Sequence, residues 1–220
     1  ELKVKFLNTA GAKTGKLLPT GNVMDVLDIP GLGKIEASIL DVSNPMVLVR
    51  AEDVHALGTE LPEEVNANTE LMDVLEKIRG TAACMMGFAK DLKDATDNSP
   101  AVPKVGFVTT PKSYTGIGNT EVHAEDMDVC ARVISVFKCH KACPLTSASS
   151  IAVAAALKGS VVNKLVAEGT SLENVRIGHP SGIMTMCPEI NLKETGAEVP
   201  AVAVQRTARR IMDGTVYIRK

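Results

Sequence analysis

The segment Ser147–Leu157, with the sequence SASSIAVAAAL, constrains the fold more than any other part of the chain. It contains no charged residue, and most of its side chains are small. A helix that is apolar on every side has no face for water and must be enclosed by other elements. We therefore predict a buried helix over Ser147–Leu157, with the remaining secondary structure packed around it.

Short strands are the elements available to surround this helix. Apolar runs that alternate with polar residues, or that are bounded by Gly and Pro, predict strands. The predicted strands are Leu2–Leu7, Asn22–Leu27, Lys34–Leu40, Pro45–Val49, Lys104–Thr109, Asn174–Gly178, Ile183–Cys187, Val199–Val204 and Thr215–Ile218. Their number and shortness favour a chain that is rich in β-structure.

Two amphipathic helices are predicted outside this assembly. The first spans Thr69–Phe88, capped by Asn68 or Thr69, and the second spans Ala124–Phe137. The apolar stripe of the first is Leu71, Leu75, Ile78, Ala82 and Met85, and that of the second is Met127, Cys130, Ile134 and Phe137. The polar residues 91–103 between them predict a loop. Strands and helices do not alternate regularly, so the fold class is α+β, not a parallel βαβ sheet.

Composition excludes several classes of function. The 220 residues are 45% hydrophobic, which is enough for one domain or two small ones with a proper core. The net charge of −2 and the isoelectric point near 6.1 provide no basic surface for nucleic acid. The chain has no Trp and few other aromatic residues, which argues against base stacking. We predict no nucleic-acid partner.

The cysteine count and the hydropathy indicate a cellular compartment. Five cysteines are an odd number, and a chain of this size does not need disulfides, so we predict a reducing, cytoplasmic location. The longest uncharged apolar run, Ile151–Leu157, is too short to span a membrane, and the start of the chain has no signal-peptide pattern. The chain opens without Met, which indicates a processed chain or a piece of a longer one.

Cys139, His140 and Cys143 precede the apolar segment and invite two chemical interpretations. Structural zinc sites combine two short ligand pairs, and no second pair is present, so we predict no metal. Cys143 lies just before the predicted helix, whose dipole would lower the thiol pKa and favour a nucleophile. The alternative is a buried thiol that only packs. Packing is favoured, and Cys143 is kept as a candidate catalytic residue.

Hydroxyl groups at the predicted start of the helix suggest a binding site. Thr146, Ser147, Ser149 and Ser150 lie beside backbone N–H groups that have no partner within a helix. Such a helix start either binds a carboxylate or phosphate, or is an ordinary Ser cap. The segment Gly11–Lys16 (GAKTGK) does not fit a phosphate loop, because one residue is missing between its glycines. Two short polar segments border predicted strands: Ser43–Pro45, and Gly178–Gly182 with His179. Each is either a turn or part of a binding site.

Seven separated motifs resemble one protein family in their order along the chain. They are LNTAGAKTGKLLPTGN, DVSNPMVLVRAEDV, GTELP, AVPKVGFV, PLTSASSIAVAAAL, RIGHPSG and RTARRIMDGTVYI. The chain resembles the PrpF-like 2-methylaconitate isomerase family from about Val4 to its end. That family is similar in fold to diaminopimelate epimerase, in which two pseudo-symmetric domains each wrap strands around a central helix.

The resemblance implies that residues 1–220 correspond to the second, C-terminal, epimerase-like domain. Family members are nearly twice as long, and their half with a GGTSKG-type motif has no counterpart here. Residues 215–220 would then be a strand that belongs to the first domain. The implied partners are the missing N-terminal half, or a second copy of the chain, and a small di- or tricarboxylate ligand.

The chemistry implied by the resemblance is an allylic proton shift in an unsaturated di- or tricarboxylate, without cofactor or metal. The implied substrate-binding residues are Asn44, Thr146, Ser147, Ala148, Ser181 and Gly182. Ser147 departs from the family pattern, in which glycine is common, and Cys143 lies one residue out of step with the second catalytic cysteine of the epimerase. Two alternatives stay open: a non-catalytic paralogue that binds small anions or oligomerises, and an epimerase or racemase that acts through Cys143.

Overall fold

Segments rich in Val, Ile and Ala form most of the regular structure in the computed structural model, which describes residues 2–167, 169–193 and 196–219. The strands are β1 (Leu2–Leu7), β2 (Asp25–Ile29), β3 (Gly33–Val42), β4 (Asn44–Arg50), β5 (Lys104–Thr109), β6 (Tyr114–Gly116), β7 (Thr120–Val122), β8 (Val129–Ser135), β9 (Lys138–Cys139), β10 (Val175–His179), β11 (Gly182–Lys193) and β12 (Gly196–Arg206). The α-helices are α1 (Pro62–Ala67), α2 (Thr69–Met85), α3 (Leu92–Asn98) and α4 (Leu145–Ala156). The described residues form mostly strands and a few helices, so the architecture is α+β.

One ten-stranded sheet organises the described part of the chain. Its strand order is β1-β12-β11-β10-β8-β5-β4-β3-β2, and β9 pairs with β8 beside this path. The pairs β4–β5 and β8–β10 are parallel, and the other pairs in the sheet are antiparallel. β6 and β7 form a separate hairpin. The sheet is therefore mixed but mostly antiparallel.

Helix α4 is buried against this sheet, as its uncharged sequence predicts. Nine of its twelve residues, Ser147–Ala155, are buried, and the helix packs against β3, β4, β10 and β11. Its small side chains allow the strands to approach on several sides. The predicted helix is confirmed, and it begins two residues earlier than expected, at Leu145.

Helix α2 covers the other face of the sheet. Leu48 of β4 belongs to the core around α4, whereas its neighbours Val47 and Val49 belong to the core under α2, as expected for a strand that is buried on both faces. Asn68 caps α2 by accepting a hydrogen bond from the Leu71 N–H at 3.0 Å, as predicted. The predicted apolar stripe is buried except at its end, where Met85 is 44% exposed.

The predicted helix over Ala124–Phe137 is wrong. Residues Ala124–Asp126 form a single 3₁₀ turn, and Val129–Ser135 forms strand β8. Every residue from Val129 to Ile134 is buried, because β8 lies between β5 and β10 and both of its faces are covered. A continuously buried strand has no alternating pattern, and its apolar spacing therefore resembled that of a helix.

The predicted loop over residues 91–103 contains helix α3. Asp91 caps this helix by accepting a hydrogen bond from the Asp94 N–H at 2.8 Å. Only Ala95 of α3 is buried, so the helix has almost no apolar stripe. Its capping residue, and not its hydrophobic pattern, was the available signal.

The predicted strand over Thr215–Ile218 is also wrong. Residues 207–219 have no regular secondary structure, and Val216, Tyr217 and Ile218 are 85%, 93% and 87% exposed. A strand needs a neighbour to pair its backbone groups, and no described strand lies beside this segment. Lys220, the last residue of the segment 215–220 that the resemblance assigns to the first domain, lies outside the described residues.

Two sequence-based expectations concern the environment of the chain. Among the described residues, no helix is both long and apolar enough to cross a membrane. All five cysteines are unpaired.

Candidate functional site

The first residues of the interior strands β4 and β5 lie at the same end of the sheet as the start of α4. β4 begins at Asn44, and the parallel pairing places Met46 opposite Lys104, the first residue of β5. The Ser150 hydroxyl of α4 donates a hydrogen bond to the Val42 carbonyl at the end of β3, at 3.3 Å. These contacts bring polar residues from distant parts of the chain to the N-terminal end of the buried helix.

The first turn of α4 has no side-chain cap. Its N-cap position is occupied by Pro144, whose carbonyl accepts the hydrogen bond from the Ala148 N–H at 2.8 Å. The N–H groups of Leu145, Thr146 and Ser147 precede this bond and have no partner within the helix. The interpretation of this segment as an ordinary Ser cap is therefore wrong, since no serine occupies the N-cap position. These three N–H groups are available to bind an anion.

The four hydroxyl groups of this segment divide into two pairs. Ser149 and Ser150 donate to the carbonyls of Leu145 and Thr146, at 3.0 and 3.4 Å, which are ordinary bonds to the preceding turn. Thr146 Oγ1 accepts a hydrogen bond from the Lys104 ammonium at 3.3 Å. Ser147 Oγ is buried and has no hydrogen-bond partner among the described residues. Thr146 and Ser147 thus retain hydrogen-bonding capacity, as the sequence suggested.

Lys104 is a site residue that the sequence reasoning missed. It is half-buried, and it forms no ion pair in the part of the chain that the structure describes. Burial lowers the pKa of its ammonium, and the neighbouring Cys143 thiol opposes this shift. A lysine at the start of the otherwise apolar strand KVGFVT was the one available signal.

Cys143 is buried directly before the helix. Burial raises the pKa of its thiol to about 12, although the nearby cations Lys104 and Arg132 act in the opposite direction. Desolvation therefore outweighs the nearby positive charges, which is the opposite of the lowered pKa that the nucleophile hypothesis needs. A thiol with this pKa stays protonated at neutral pH, which favours the packing role for Cys143.

His140 contributes another polar atom that makes no hydrogen bond among the described residues. Its Nε2 atom is buried and has no hydrogen-bond partner among the described residues. Burial lowers the pKa of the imidazole, and the charge of Lys104 lowers it further. His140 is therefore neutral at physiological pH and adds no charge to the site.

Ser181 lies in the turn between β10 and β11, and Gly182 is the first residue of β11. This turn contacts the segment before α4. The Ser181 hydroxyl donates to the Lys141 carbonyl, and its N–H donates to His179 Nδ1 at 3.2 Å. The Gly182 carbonyl accepts a bond from the Tyr114 hydroxyl at 3.4 Å. Burial, together with the charge of Arg132, lowers the pKa of His179 to about 4, so this imidazole is neutral and structural at pH 7.

Asn44 is partly buried at the start of β4. Its side-chain amide makes one long contact, from Nδ2 to the Pro45 carbonyl at 3.5 Å. The amide can form up to four hydrogen bonds, so most of its capacity is free. Its position two residues before Met46, the partner of Lys104, places it at the same end of the sheet as the start of α4. Ala148, the remaining predicted residue, is fully buried in the first turn of α4.

One sizeable cavity lies away from these residues. It has a volume of about 790 Å³ on the outer surface of β1, β11 and β12, where Lys5 and Glu189 form an ion pair at 2.5 Å. Its lining contains none of the predicted site residues. Polar groups without partners converge at the start of α4 and not in this groove, so we assign the candidate site to α4. Within the described residues, no group of three or more His, Cys, Asp or Glu side chains is placed to hold a metal ion.

The Ser147 hydroxyl provides a stability test of the site. We expect Ser147→Ala to raise the free energy of unfolding by about 1 kcal/mol, because a buried hydroxyl without a partner destabilises the folded state. Ser149→Ala is the matched control, and we expect it to lower the same quantity by about 0.5–1 kcal/mol, because that hydroxyl is bonded. Urea unfolding of both variants gives the comparison. An equal loss in both would show that Ser147 has a structural role.

Comparison with known proteins gives consistent results over nearly the whole chain. A family model described as PrpF protein matches residues 1–219. The chain is 41% identical over 217 residues to the 3-methylitaconate isomerase of Eubacterium barkeri, covering 98% of this chain and 56% of that protein. It is 35% identical to the 2-methyl-aconitate isomerase of Shewanella oneidensis, covering 100% of this chain and 56% of that protein.

A solved structure agrees with the sequence relatives. The crystal structure of methylitaconate-delta-isomerase superposes with a TM-score of 0.86 at 39% identity, covering 97% of this chain and 54% of that one. The chain therefore spans about half the length of the relatives that it matches.

Proposed function

The chain belongs to the PrpF protein family, and from this premise we propose that it is part of an isomerase that shifts a double bond in an unsaturated di- or tricarboxylate. In this proposal the chain supplies the side of the active site that binds a substrate carboxylate. The relatives that act on 3-methylitaconate and 2-methylaconitate indicate the substrate class. The observation that carries the proposal is the uncapped start of α4, where the buried Ser147 hydroxyl has no partner.

The reaction needs one proton removed and one proton returned. A base takes a proton from a carbon next to the double bond, and the electron pair left behind spreads into the neighbouring carboxylate. An acid then delivers a proton two carbons away, so the double bond moves and no atom is gained or lost. The fixed N–H groups at the start of α4 are suited to stabilise the negative charge on that carboxylate. This mechanism requires no cofactor.

The site residues have separate roles in this proposal. The N–H groups of Leu145, Thr146 and Ser147 face the carboxylate, and the hydroxyls of Thr146 and Ser147 add hydrogen bonds. Ala148, whose N–H is bonded to the Pro144 carbonyl, fixes the first turn of the helix beside them. Asn44 orients the substrate through its free amide. Ser181 and Gly182 hold the β10–β11 turn against the segment before α4, which is supported by the bond from Ser181 to the Lys141 carbonyl. Cys143 packs beneath the helix start.

We assign the catalytic acid and base to protein outside these 220 residues. In this proposal the chain corresponds to the second of two domains of a diaminopimelate epimerase-like fold, with α4 as the central helix of its domain. The proposal is supported by the share of the relatives' length that the chain covers, and by the exposed apolar side chains near its C-terminus. Those side chains are Ile211, Met212, Val216, Tyr217 and Ile218. They would pack against the first domain.

Ligand titration and an isomerase assay test the proposal together. We expect tricarballylate, a saturated tricarboxylate, to shift the amide resonances of Thr146 and Ser147, and its uncharged trimethyl ester to leave them unchanged. We expect no isomerisation of 2-methylaconitate or 3-methylitaconate by the 220-residue chain, because the acid and base are supplied from outside it.

Two results would contradict the proposal. Turnover by the isolated chain would show that it holds its own acid and base. Binding at the large groove beside Lys5, without shifts at Thr146 or Ser147, would remove the helix start as the carboxylate site.

A further inference from the structure

The half-buried position of Lys104 is not explained by any ion pair in the described part of the chain. Burying part of an ammonium group removes water from a charge, and such groups normally gain a carboxylate partner in return. Among the described residues, Lys104 has only the Thr146 hydroxyl as a partner, at 3.3 Å, although its ammonium has three donors. At least two donors are therefore free at the start of α4.

Other enclosed cations of the chain differ from Lys104. Arg79 is paired with Glu76 and two carbonyls, and Arg176 is paired with Asp128 at 2.8 Å. Arg132 is fully buried, where it donates to the Glu60 and Ala131 carbonyls and lies 4.9 Å from the centre of the Tyr114 ring, and its Nη2 atom has no hydrogen-bond partner among the described residues. Each of these side chains stabilises a contact between elements. Within the described ranges, Lys104 makes no comparable contact.

From this geometry we infer that the Lys104 ammonium pairs with a substrate carboxylate and makes the site select an ionised carboxylate over a neutral group of the same shape. The inference rests on the proposed function, because it assigns a residue to the same carboxylate site. Helix N–H groups carry only partial charge and also bind neutral oxygens. A full positive charge 3.3 Å from Thr146 Oγ1 distinguishes the two kinds of oxygen.

The neighbours of Lys104 leave its charge uncompensated. The titratable groups that affect its surroundings are Cys143, from the segment before α4, and His140, which follows β9. Burial raises the pKa of the first and lowers that of the second, so both are neutral at pH 7. Asn44, Thr146 and Ser147, which the candidate site also includes, carry no charge. An anionic ligand is the partner that this arrangement fits.

The test compares the binding of tricarballylate to the 220-residue chain and to three variants, measured by calorimetry and by the amide shifts of Thr146 and Ser147. We expect Lys104→Gln to weaken binding roughly 10- to 100-fold, as for the loss of one charge-assisted hydrogen bond. Lys104→Arg should retain most of the affinity. Lys138→Gln, which removes an exposed lysine of β9, is the control and should bind like the wild type.

A pH series provides a readout that a purely structural lysine would not change. The protonated ammonium binds the anion, so affinity should fall as the pH rises through the pKa of Lys104, which burial places below the ordinary lysine value. This loss should be absent in Lys104→Gln, and it should move to higher pH in Lys104→Arg.

The outcomes separate this inference from the proposed function. Wild-type binding that Lys104→Gln leaves unchanged would overturn the role of Lys104 and leave the carboxylate site in place. Equal weakening by Lys138→Gln would show that long-range charge, not Lys104, accounts for the effect. Failure of the wild-type chain to bind tricarballylate would overturn both.

Discussion

Replacing Arg79 with Met is expected to lower the free energy of unfolding by about 2–4 kcal/mol, somewhat less than for a fully buried ion pair, because the partner Glu76 is partly exposed. The Arg79 side chain is 2% exposed and binds both carboxylate oxygens of Glu76, at 2.7 and 2.6 Å. It also donates to the carbonyls of Ser99 and Ala95, at 2.7 and 2.9 Å. Met would fill most of the space but remove the charged partner of Glu76, whose carboxylate would keep only the Thr96 hydroxyl as a side-chain donor. The Ala95 and Ser99 carbonyls would keep only their backbone bonds from the Ser99 and Val102 N–H groups.

A neighbouring lysine on α2 serves as the control for Arg79. Lys77 forms an exposed pair with Asp73 at 2.6 Å, and Lys77→Met should change stability by less than about 1 kcal/mol. Urea unfolding monitored by circular dichroism measures both variants. A loss below about 1 kcal/mol for Arg79→Met would show that α3 and the 99–102 segment do not depend on this guanidinium.

Replacing Gly58 with Ala is expected to lower the free energy of unfolding by about 2–5 kcal/mol. Gly58 has a φ of +86°, a conformation that costs an L-residue about 1–2 kcal/mol. A Cβ atom there would also lie 2.3 Å from Thr109 Cγ2 and 2.8 Å from Thr109 Cβ, so β5 or the loop must move. Overpacking of this kind adds roughly 1–3 kcal/mol.

Gly31 separates the two contributions to the Gly58 effect. It has the same φ of +86°, but a Cβ atom there would meet nothing within 4 Å. Gly31→Ala should therefore lose only the conformational part, about 1–2 kcal/mol. Equal losses in thermal or urea unfolding of the two variants would show that the Thr109 contact has no energetic effect.

Most of the secondary structure was predictable, because local patterns decided it. The strand pattern of Leu2–Leu7 and the capping residue Asn68 were read correctly from their immediate neighbours. The prediction of a helix over Ala124–Phe137 failed, because β8 is covered on both faces and so loses the alternation that marks a strand. The strand predicted over Thr215–Ile218 failed because strand formation needs a partner that local sequence does not specify.

The candidate site was only partly predictable. Thr146 and Ser147 were identified because hydroxyls beside a helix start are a local signal. Lys104 was missed because its contact with Thr146 spans 42 positions in the chain and depends on the pairing of β4 with β5. The protonation state of Cys143 was likewise undecided, since it depends on how completely the surrounding strands exclude water.

The sequence alone determined that Ser147–Leu157 must be enclosed, because a helix without a polar face cannot border water. It also determined the family, through motifs that span nearly the whole chain. Only the tertiary structure decided which polar groups meet at the start of that helix. Burial and distance decide whether Lys104 lacks a charged partner, whether the Cys143 thiol is protonated, and whether the Ser147 hydroxyl lacks a hydrogen bond. Both quantities arise from elements that are remote in sequence.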